Sequence, residues 1–502
     1  MTNMLNAEEL LRRPGGETED DKRRADLGQF LTPNAIADLM ASFFANPVRD
    51  IRLLDAGAGT GSLTAAFVRR VCARRRKPKS ISVAAYEVDT LLIPHLRQTL
   101  DHCKDQCDLA DVSFSATIFN EDFIRSVVPI VREELFAPDL PRFNAAIANP
   151  PYRKIHSDSP ARRLLKLAGI ETSNLYTGFV SLIARLLVND GELVVITPRS
   201  FCNGPYFKPF RREFLETMSL RRLHVFESRS AAFSKDEVLQ ENVIAHGVKN
   251  REKPTQVIIS HSSGKPGSRI KARRVDYRDV IVPGDPDQFF HFVVSEKQKK
   301  VRSIINRLSA SLPDLHLTVS TGRVVDFRAQ NYLRRDVDKD TAPLIYPTHF
   351  NGDFVSWPKE NSRKPNAIVC AEETRELFVP AGIYVLVKRF TSKEERRRVV
   401  ACIYDPQRIE ADQIGFENHL NYFHCRGRGL QMGLAKGLAA FLNSTALDNY
   451  FRQFSGHTQV NAADLRALKY PNRDSLEKLG DLVTGNMPQK ALDRLVDETL
   501  LA

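Results

Sequence analysis

Asn149-Pro150-Pro151-Tyr152 is the stretch of this chain best equipped for chemistry. An exocyclic amine on a nucleobase is a poor nucleophile, because its lone pair is delocalised into the ring. Two acceptors aimed at its N–H groups draw it towards a tetrahedral, nucleophilic geometry. The Asn149 side-chain oxygen can be one acceptor, and the Pro150 carbonyl, stiffened by the proline after it, can be the other. Tyr152 can stack on the base. The competing reading of the same four residues is a plain turn that ends a strand.

Elements that could position such chemistry lie on both sides. Phe143 to Ala148 is an apolar run that reads as a short buried strand. Two consecutive prolines must stop it, since neither can donate to a sheet ladder. The tetrapeptide therefore sits at the carboxyl end of a strand, where open α/β sheets bind ligands. Upstream, Ile51 to Asp55 is strand-like and is followed by Ala56-Gly57-Ala58-Gly59-Thr60-Gly61, then by a helix with Leu63, Phe67 and Val71 on one face. A strand, a glycine turn and a helix make a nucleotide-binding unit, although dinucleotide dehydrogenases share something like it. A second strand, Ile81 to Tyr86, ends in Glu87, whose carboxylate can take both hydroxyls of a ribose. A third, with Val112, Phe114, Ala116 and Ile118 alternating, leads to Asp122-Phe123, an acceptor and a ring suited to adenine. Each acid taken alone is a solvated loop residue more often than a ligand. Three acids at the ends of successive strands are harder to dismiss.

The remaining strands expected in this region are Leu193–Ile196, Leu223–Phe226 and Val243–Ala245, giving seven with helices between most of them. Thr32 and Pro33 form an N-cap and first residue for a helix that buries Ile36, Leu39, Met40, Phe43 and Phe44. Its preceding loop, from Gly28, is suited to folding over a cofactor.

At 502 residues the chain calls for two or three domains. A hydrophobic content of 42% and a charged content of 27% are those of a globular protein, and the net charge of +12 favours a polyanionic partner, nucleic acid ahead of membrane. No signal peptide or membrane span is evident. Seven cysteines, scattered and odd in number, suit free thiols in a reducing cytoplasm. Cys103 and Cys107, with His95 and His102 nearby, lack a second ligand pair at zinc-finger spacing, so no metal is expected. Composition shifts at Ser262 to Ser268, read as a linker. Beyond it, Arg323, Phe327, Arg328, Tyr332, Trp357, Arg426 and Arg428 interleave basic and aromatic side chains in a way that suits phosphate and base contact.

Taken in order, Gly28-Gln29-Phe30-Leu31-Thr32-Pro33, Leu54-Asp55-Ala56-Gly57-Ala58-Gly59-Thr60-Gly61, Glu87, Asp122-Phe123 and Asn149-Pro150-Pro151-Tyr152 resemble the gamma class of bacterial N6-adenine DNA methyltransferases of restriction–modification systems. The resemblance covers roughly residues 25–250. Val319-Ser320-Thr321-Gly322-Arg323, Leu442-Asn443-Ser444, Ser455 to Val460 and Asp464-Leu465 look more loosely like the family's recognition domains.

The resemblance implies an α/β fold: a seven-stranded Rossmann-like S-adenosylmethionine-dependent methyltransferase domain at 25–262, after a flexible 1–24, and a mixed α+β DNA target-recognition domain at 269–502. S-adenosylmethionine would be the methyl donor. Thr32, Asp55, Gly57 and Gly59 would hold its methionine part, Glu87 its ribose, and Asp122 with Phe123 its adenine. Asn149 and Pro150 would hold the target amine of an adenine flipped from duplex DNA, stacked between Tyr152 and Phe233. Arg323, Arg328, Arg426, Arg428 and His457 would contact DNA. The expected protein is a monomer of the bacterial cytoplasm, associated with DNA. Pro286-Asp287 with Glu296-Lys297 misses a metal-nuclease pattern by the placement of its lysine, so a cognate restriction endonuclease is expected as a separate protein. An RNA adenine methyltransferase, a protein glutamine methyltransferase and an inactive DNA-specificity subunit are the alternatives.

Overall fold

The parallel strands of this chain read as continuous apolar runs because both of their faces are covered. In the computed structural model, which describes residues 31–45, 48–135, 140–226, 241–264, 267–293, 295–391, 395–455 and 459–501, the chain forms two compact units, Met1–Val294 and Ser295–Ala502.

The first unit is built on a sheet of nine strands, two more than the sequence suggested. These are β1 (Asp50–Ala56), β2 (Ser80–Tyr86), β3 (Ser113–Phe119), β4 (Phe143–Ala148), β5 (Leu187–Pro198), β6 (Met218–Phe226), β7 (Asn242–Lys249), β8 (Gln256–Ser262) and β9 (Lys271–Asp276). Their order is β3-β2-β1-β4-β5-β7-β6-β8-β9. The first five run parallel, β7 runs antiparallel between β5 and β6, β8 is parallel to β6, and β9 is antiparallel to β8. β6 thus runs in the direction of β4, as expected.

The segment 262–268 was expected as a linker, but Ser262 ends β8, β8 pairs with β9 in the same sheet, and the first unit continues to Val294. The glycines and serines that suggested a domain boundary serve a hairpin. β9 is a polar edge, Lys271-Ala272-Arg273-Arg274-Val275-Asp276, so the two-residue alternation of a half-buried strand was masked by charge that guards an open edge.

Successive residues of the central strands face opposite layers. Leu54, Ala146, Leu193 and Val195 join a core with α4 (Phe123–Val131), α6 (Leu175–Leu186) and α7 (Lys208–Thr217). Leu53, Ile147, Val194 and Ile196 join a second core with α1 (Asn34–Ala41), α2 (Ser62–Cys72) and α3 (Ile93–Leu109). Between β4 and α6 lies α5 (Pro160–Leu167). Cys103 and Cys107 lie on the buried face of α3. α1 begins one residue later than expected: Pro33 is its N-cap, and Thr32 lies outside it.

The second unit contains a six-stranded and a five-stranded sheet. Tyr384, Leu386, Tyr404 and Tyr422 from the first pack with Ile345, Ile414 and Phe416 from the second in one core. Helices at Met432–Leu442, Thr445–Phe454, Ala462–Arg466, Arg473–Leu482 and Gln489–Val496 complete it. No helix among the described residues is long and apolar enough to cross a membrane.

Candidate active site

Four strand ends on the carboxyl rim of the first sheet converge on a cleft of about 220 Å³, concave and lined by apolar side chains with a few polar groups, as small-molecule sites are. Gly57, Gly59, Glu87, Asp122, Phe123 and Asn149 all line it. These six sequence-predicted residues are separated by up to 92 positions, and the parallel register brings their strand ends to one place.

The turn after β1 is shaped by two glycines in the left-handed region, Gly57 at φ 83° and Gly59 at φ 57°. A Cβ at Gly59 would come within 3.3 Å of Leu31 Cδ2. The backbone N–H of Gly59 donates to Glu87 Oε2 at 2.8 Å, and the N–H of Asp89 donates to Glu87 Oε1 at 2.7 Å. Glu87 thus locks two rim loops together, and a carboxylate oxygen, with two lone pairs, can also accept from a ligand hydroxyl.

Asp55, at the end of β1, is fully buried and accepts from the Thr64 hydroxyl at 2.6 Å through Oδ2. Its Oδ1 has no hydrogen-bond partner among the described residues. Burial pushes its pKa up to about 7, with the Thr64 hydrogen bond opposing and the Glu87 charge adding to the rise.

Asp122 caps α4, accepting from the Arg125 N–H at 2.8 Å through Oδ1. One oxygen therefore serves the helix, a role its sequence context did not suggest. Phe123 is buried between Tyr86 and Phe179, at ring-centroid distances of 5.1 and 5.0 Å. It forms an apolar wall with Ile124 and Phe179.

At the end of β4, Asn149 Nδ2 donates to Thr32 Oγ1 at 3.0 Å. Thr32 is buried and stands here in place of the capping role expected of it. Pro150 is buried. Tyr152 is partly exposed; its hydroxyl donates to the Ile196 carbonyl at 3.4 Å, and its ring meets Tyr176 edge-on at 6.3 Å and 80°. Burial pushes the phenol of Tyr152 well above its usual range.

Sequence reasoning missed Thr64, Tyr176 and Phe179. Thr64 faces Asp55 from the first turn of α2, a signal hidden among ordinary helix residues. Tyr176 and Phe179 lie three apart on α6, a spacing common to any buried helix face. Phe233 and His457 lie outside the described residues.

In the second unit, Arg323 donates through one terminal nitrogen to the carbonyls of Glu376 and Phe378, at 3.1 and 3.0 Å, so its guanidinium serves the fold at that end. Arg328 is exposed, over the ring of exposed Phe327 at 5.5 Å. Arg426 and Arg428 are exposed on a tight turn after Leu420–His424, closed by reciprocal hydrogen bonds between Cys425 and Arg428 at 2.8 and 2.9 Å. Arg426 and Gly427 have φ of 49° and 84° there, a conformation that presents both arginines from a stiff tip.

Residues 90–233 match the Eco57I restriction-modification methylase family. The chain is 43% identical to the Type II methyltransferase M.PstI of Providencia stuartii over 98% of its own length and 96% of the relative's. It is 43% identical to the Type II methyltransferase M.BsuBI of Bacillus subtilis, over 96% and 95%. A solved structure of a DrdV–DNA complex superposes with a TM-score of 0.50 at 11% identity, over 92% of this chain and 57% of that one, a likeness of fold.

Proposed function

Because the chain belongs to the family of Type II restriction–modification methyltransferases, we propose that it transfers a methyl group from S-adenosylmethionine to N6 of an adenine flipped out of duplex DNA. The observation that carries this reading is the meeting of Asn149 with Glu87, Asp122 and Phe123 around one cleft. It joins an amine-gripping amide to groups suited to a ribose and an adenine ring.

S-adenosylmethionine fits the residues present. Buried Asp55 Oδ1 has no partner among the described residues, and an ammonium group would supply one. The Gly57–Gly59 turn leaves the space that a Cβ would narrow. When bound, this cofactor supplies an electrophilic methyl group on a sulfonium.

The protein's own work is positional. Thr32 holds the Asn149 amide nitrogen, which orients the amide oxygen as acceptor for one amine N–H; the Pro150 carbonyl accepts the other. Tyr152, braced by Tyr176 and by its hydrogen bond to Ile196, supports one face of the base. Flipping costs a few kcal/mol, and stacking at about 1–3 kcal/mol per base offsets much of it. Fixed acceptors need no reorganisation as charge develops on the amine, and positioning lowers the entropic component of the barrier. No strong general base is required, since the amine becomes acidic once methylated. The basic second unit reads the DNA sequence, with Arg328, Arg426 and Arg428 on its surface. In this reading the chain protects host DNA, and a separate endonuclease cuts unmodified sites.

Nucleoside mass spectrometry of duplex DNA treated with the purified protein and labelled cofactor should find N6-methyladenine. Label on cytosine, or on RNA or protein glutamine alone, would overturn the reading.

A further inference from the structure

After β4 the chain leaves the sheet and does not rejoin it until β5; the stretch between Tyr152 and α6 lies outside it. This excursion, Arg153 to Leu175, is stapled at its base. Ile155 N–H donates to the Ser173 carbonyl at 2.9 Å, and Leu175 N–H to the Arg153 carbonyl at 2.8 Å. Its outer portion is α5, capped by Ser159 and opened by Pro160. Leu165, fully buried, anchors the helix on α6. The fit is close: a Cβ at Gly178 would lie 2.6 Å from Leu165 Cδ1. Ile155, Ala168 and Ile170 are buried beside it. The excursion is thus a small anchored body, held by its own core contacts, with both ends of its base, Arg153 and Leu175, lining the cleft.

Its outward face is basic. Five basic side chains, Arg153, Lys154, Arg162, Arg163 and Lys166, stand against two carboxylates, Asp158 and Glu171. Lys154, Arg163 and Lys166 are exposed. Among the described residues none of these three, nor Arg162, makes an ion pair. Some comparable side chains elsewhere on the same unit are matched: Lys104 with Asp108, Lys208 with Asp287, Arg212 with Glu216. An unmatched basic surface on a segment whose base lines the cleft calls for an anion, and on a nucleic-acid substrate the nearest anions are the phosphates next to the base presented there.

We propose that the Arg153–Leu175 excursion is a sequence-independent clamp on the nucleic-acid backbone phosphates flanking the base presented to Asn149. This rests on the nucleic-acid reading of the cleft given above. Lys154, Arg163 and Lys166 supply the charge, and the anchoring of α5 fixes it at the mouth. The clamp holds the strand while its base is out of the stack, so it acts on capture of DNA and leaves the chemical step alone.

The test is the salt dependence of duplex binding by the full chain. Each phosphate contact contributes about −0.9 to the slope of log affinity against log salt. The triple variant K154Q/R163Q/K166Q should flatten that slope by about 2–3 and raise KM for a target duplex at least tenfold. Cofactor affinity and kcat at saturating DNA should stay within about twofold. The variant K154R/K166R should retain the slope. As a control on net charge, R75Q/R76Q removes two exposed arginines from the loop before β2, on the opposite rim of the sheet, and should leave the slope unchanged. Equal slopes in the triple variant and the unaltered chain, with adenine methylation intact, overturn the clamp alone; so does an equal loss in R75Q/R76Q. Failure of the unaltered chain to methylate or bind duplex DNA overturns the cleft reading and the clamp with it.

Discussion

The side-chain amide of Asn149 donates to the hydroxyl of Thr32 at 3.0 Å, tying the end of β4 to the residue before Pro33 and α1, 117 positions earlier. An asparagine amide can present either its nitrogen or its oxygen, and here the nitrogen is turned to Thr32, which leaves the oxygen for a substrate amine. Loss of the oxygen and loss of its orientation should therefore differ in degree. Asn149→Ala should lower kcat about 100–1,000-fold, the range seen when a fixed transition-state hydrogen-bonding group is removed. Thr32→Val keeps the shape and loses one neutral hydrogen bond, about 0.5–1.5 kcal/mol, so kcat should fall about threefold to tenfold. Single-turnover methylation with labelled cofactor measures both. Turnover by Asn149→Ala within tenfold of the unaltered chain would remove the residue from the chemistry.

Asp55 makes the cofactor-free protein sensitive to pH. Its folded-state pKa, about 7, lies above the 3.8 of an ordinary aspartate. The folded protein therefore binds more protons than the unfolded chain between these values, and stability falls as pH rises from about 4 through 7. The loss amounts to about 4 kcal/mol once complete. Asp55→Asn keeps the shape without the charge. It should match the unaltered protein near pH 4 and exceed it at pH 8, in chemical denaturation without cofactor. A ligand ammonium beside Asp55 would restore the charged form, so cofactor binding at pH 6 should release about one proton, a release that fades as pH rises through about 7. Calorimetry in buffers of different ionisation enthalpy reads this directly. Equal stability–pH profiles for the two proteins would refute the assignment.

How much of this was legible in the sequence depends on how locally each feature is determined. The strand ends bearing Asp55, Glu87 and Asn149 were legible because buried parallel strands leave continuous apolar runs, and the residues just past such a run lie at the rim of the sheet. Tyr176 and Phe179 were not, since each meets the site through packing between elements distant in sequence; Thr64, nine residues from Asp55, was hidden among ordinary helix residues. The local pattern of Thr32 is that of a helix cap, but Pro33 takes that place and the Thr32 hydroxyl accepts from Asn149 across the fold. The charged edge strand β9 was invisible, because its stability comes from pairing with β8 and, Val275 apart, its side chains are exposed or half-buried.

In the second unit, the helices Met432–Leu442 and Arg473–Leu482 cross at glycines. A Cβ at Gly437 would fall 1.8 Å from the Leu476 carbonyl oxygen, whereas one at Gly433 would meet nothing closer than 3.4 Å. Alanine is favoured over glycine in a helix by about 1 kcal/mol, so Gly433→Ala should be neutral or slightly stabilising. Gly437→Ala must push the two helix backbones apart and should cost about 1–3 kcal/mol or more. Thermal melts of the two variants compare them under one set of conditions. A Gly437→Ala protein no less stable than Gly433→Ala would mean that the helices do not cross this closely.

The first unit should be separable at Val294 and not at the serine–glycine segment. β9 pairs with β8 from Gln256↔Asp276 to His261↔Lys271, and the chain beyond it closes the core. Arg211 Nε donates to the Asp287 carbonyl at 2.7 Å, and Phe290 N–H donates to the Cys202 carbonyl at 2.9 Å. Phe289, Phe290 and Phe292 are buried, each contributing roughly 1.5–3 kcal/mol. A fragment ending at Ser262 forfeits these and bares the β8 edge, so it should be unstable or aggregate. A fragment ending at Val294 keeps them and should bind S-adenosylmethionine within about threefold of the full chain, a margin of under 1 kcal/mol. Lacking the second unit, it should show no preference for the target duplex over a scrambled one. Circular dichroism, calorimetry and competition binding on the two fragments test each expectation. Equal stability of the shorter fragment would refute the boundary, and sequence-selective binding by the longer one would refute the assignment of DNA reading to the second unit.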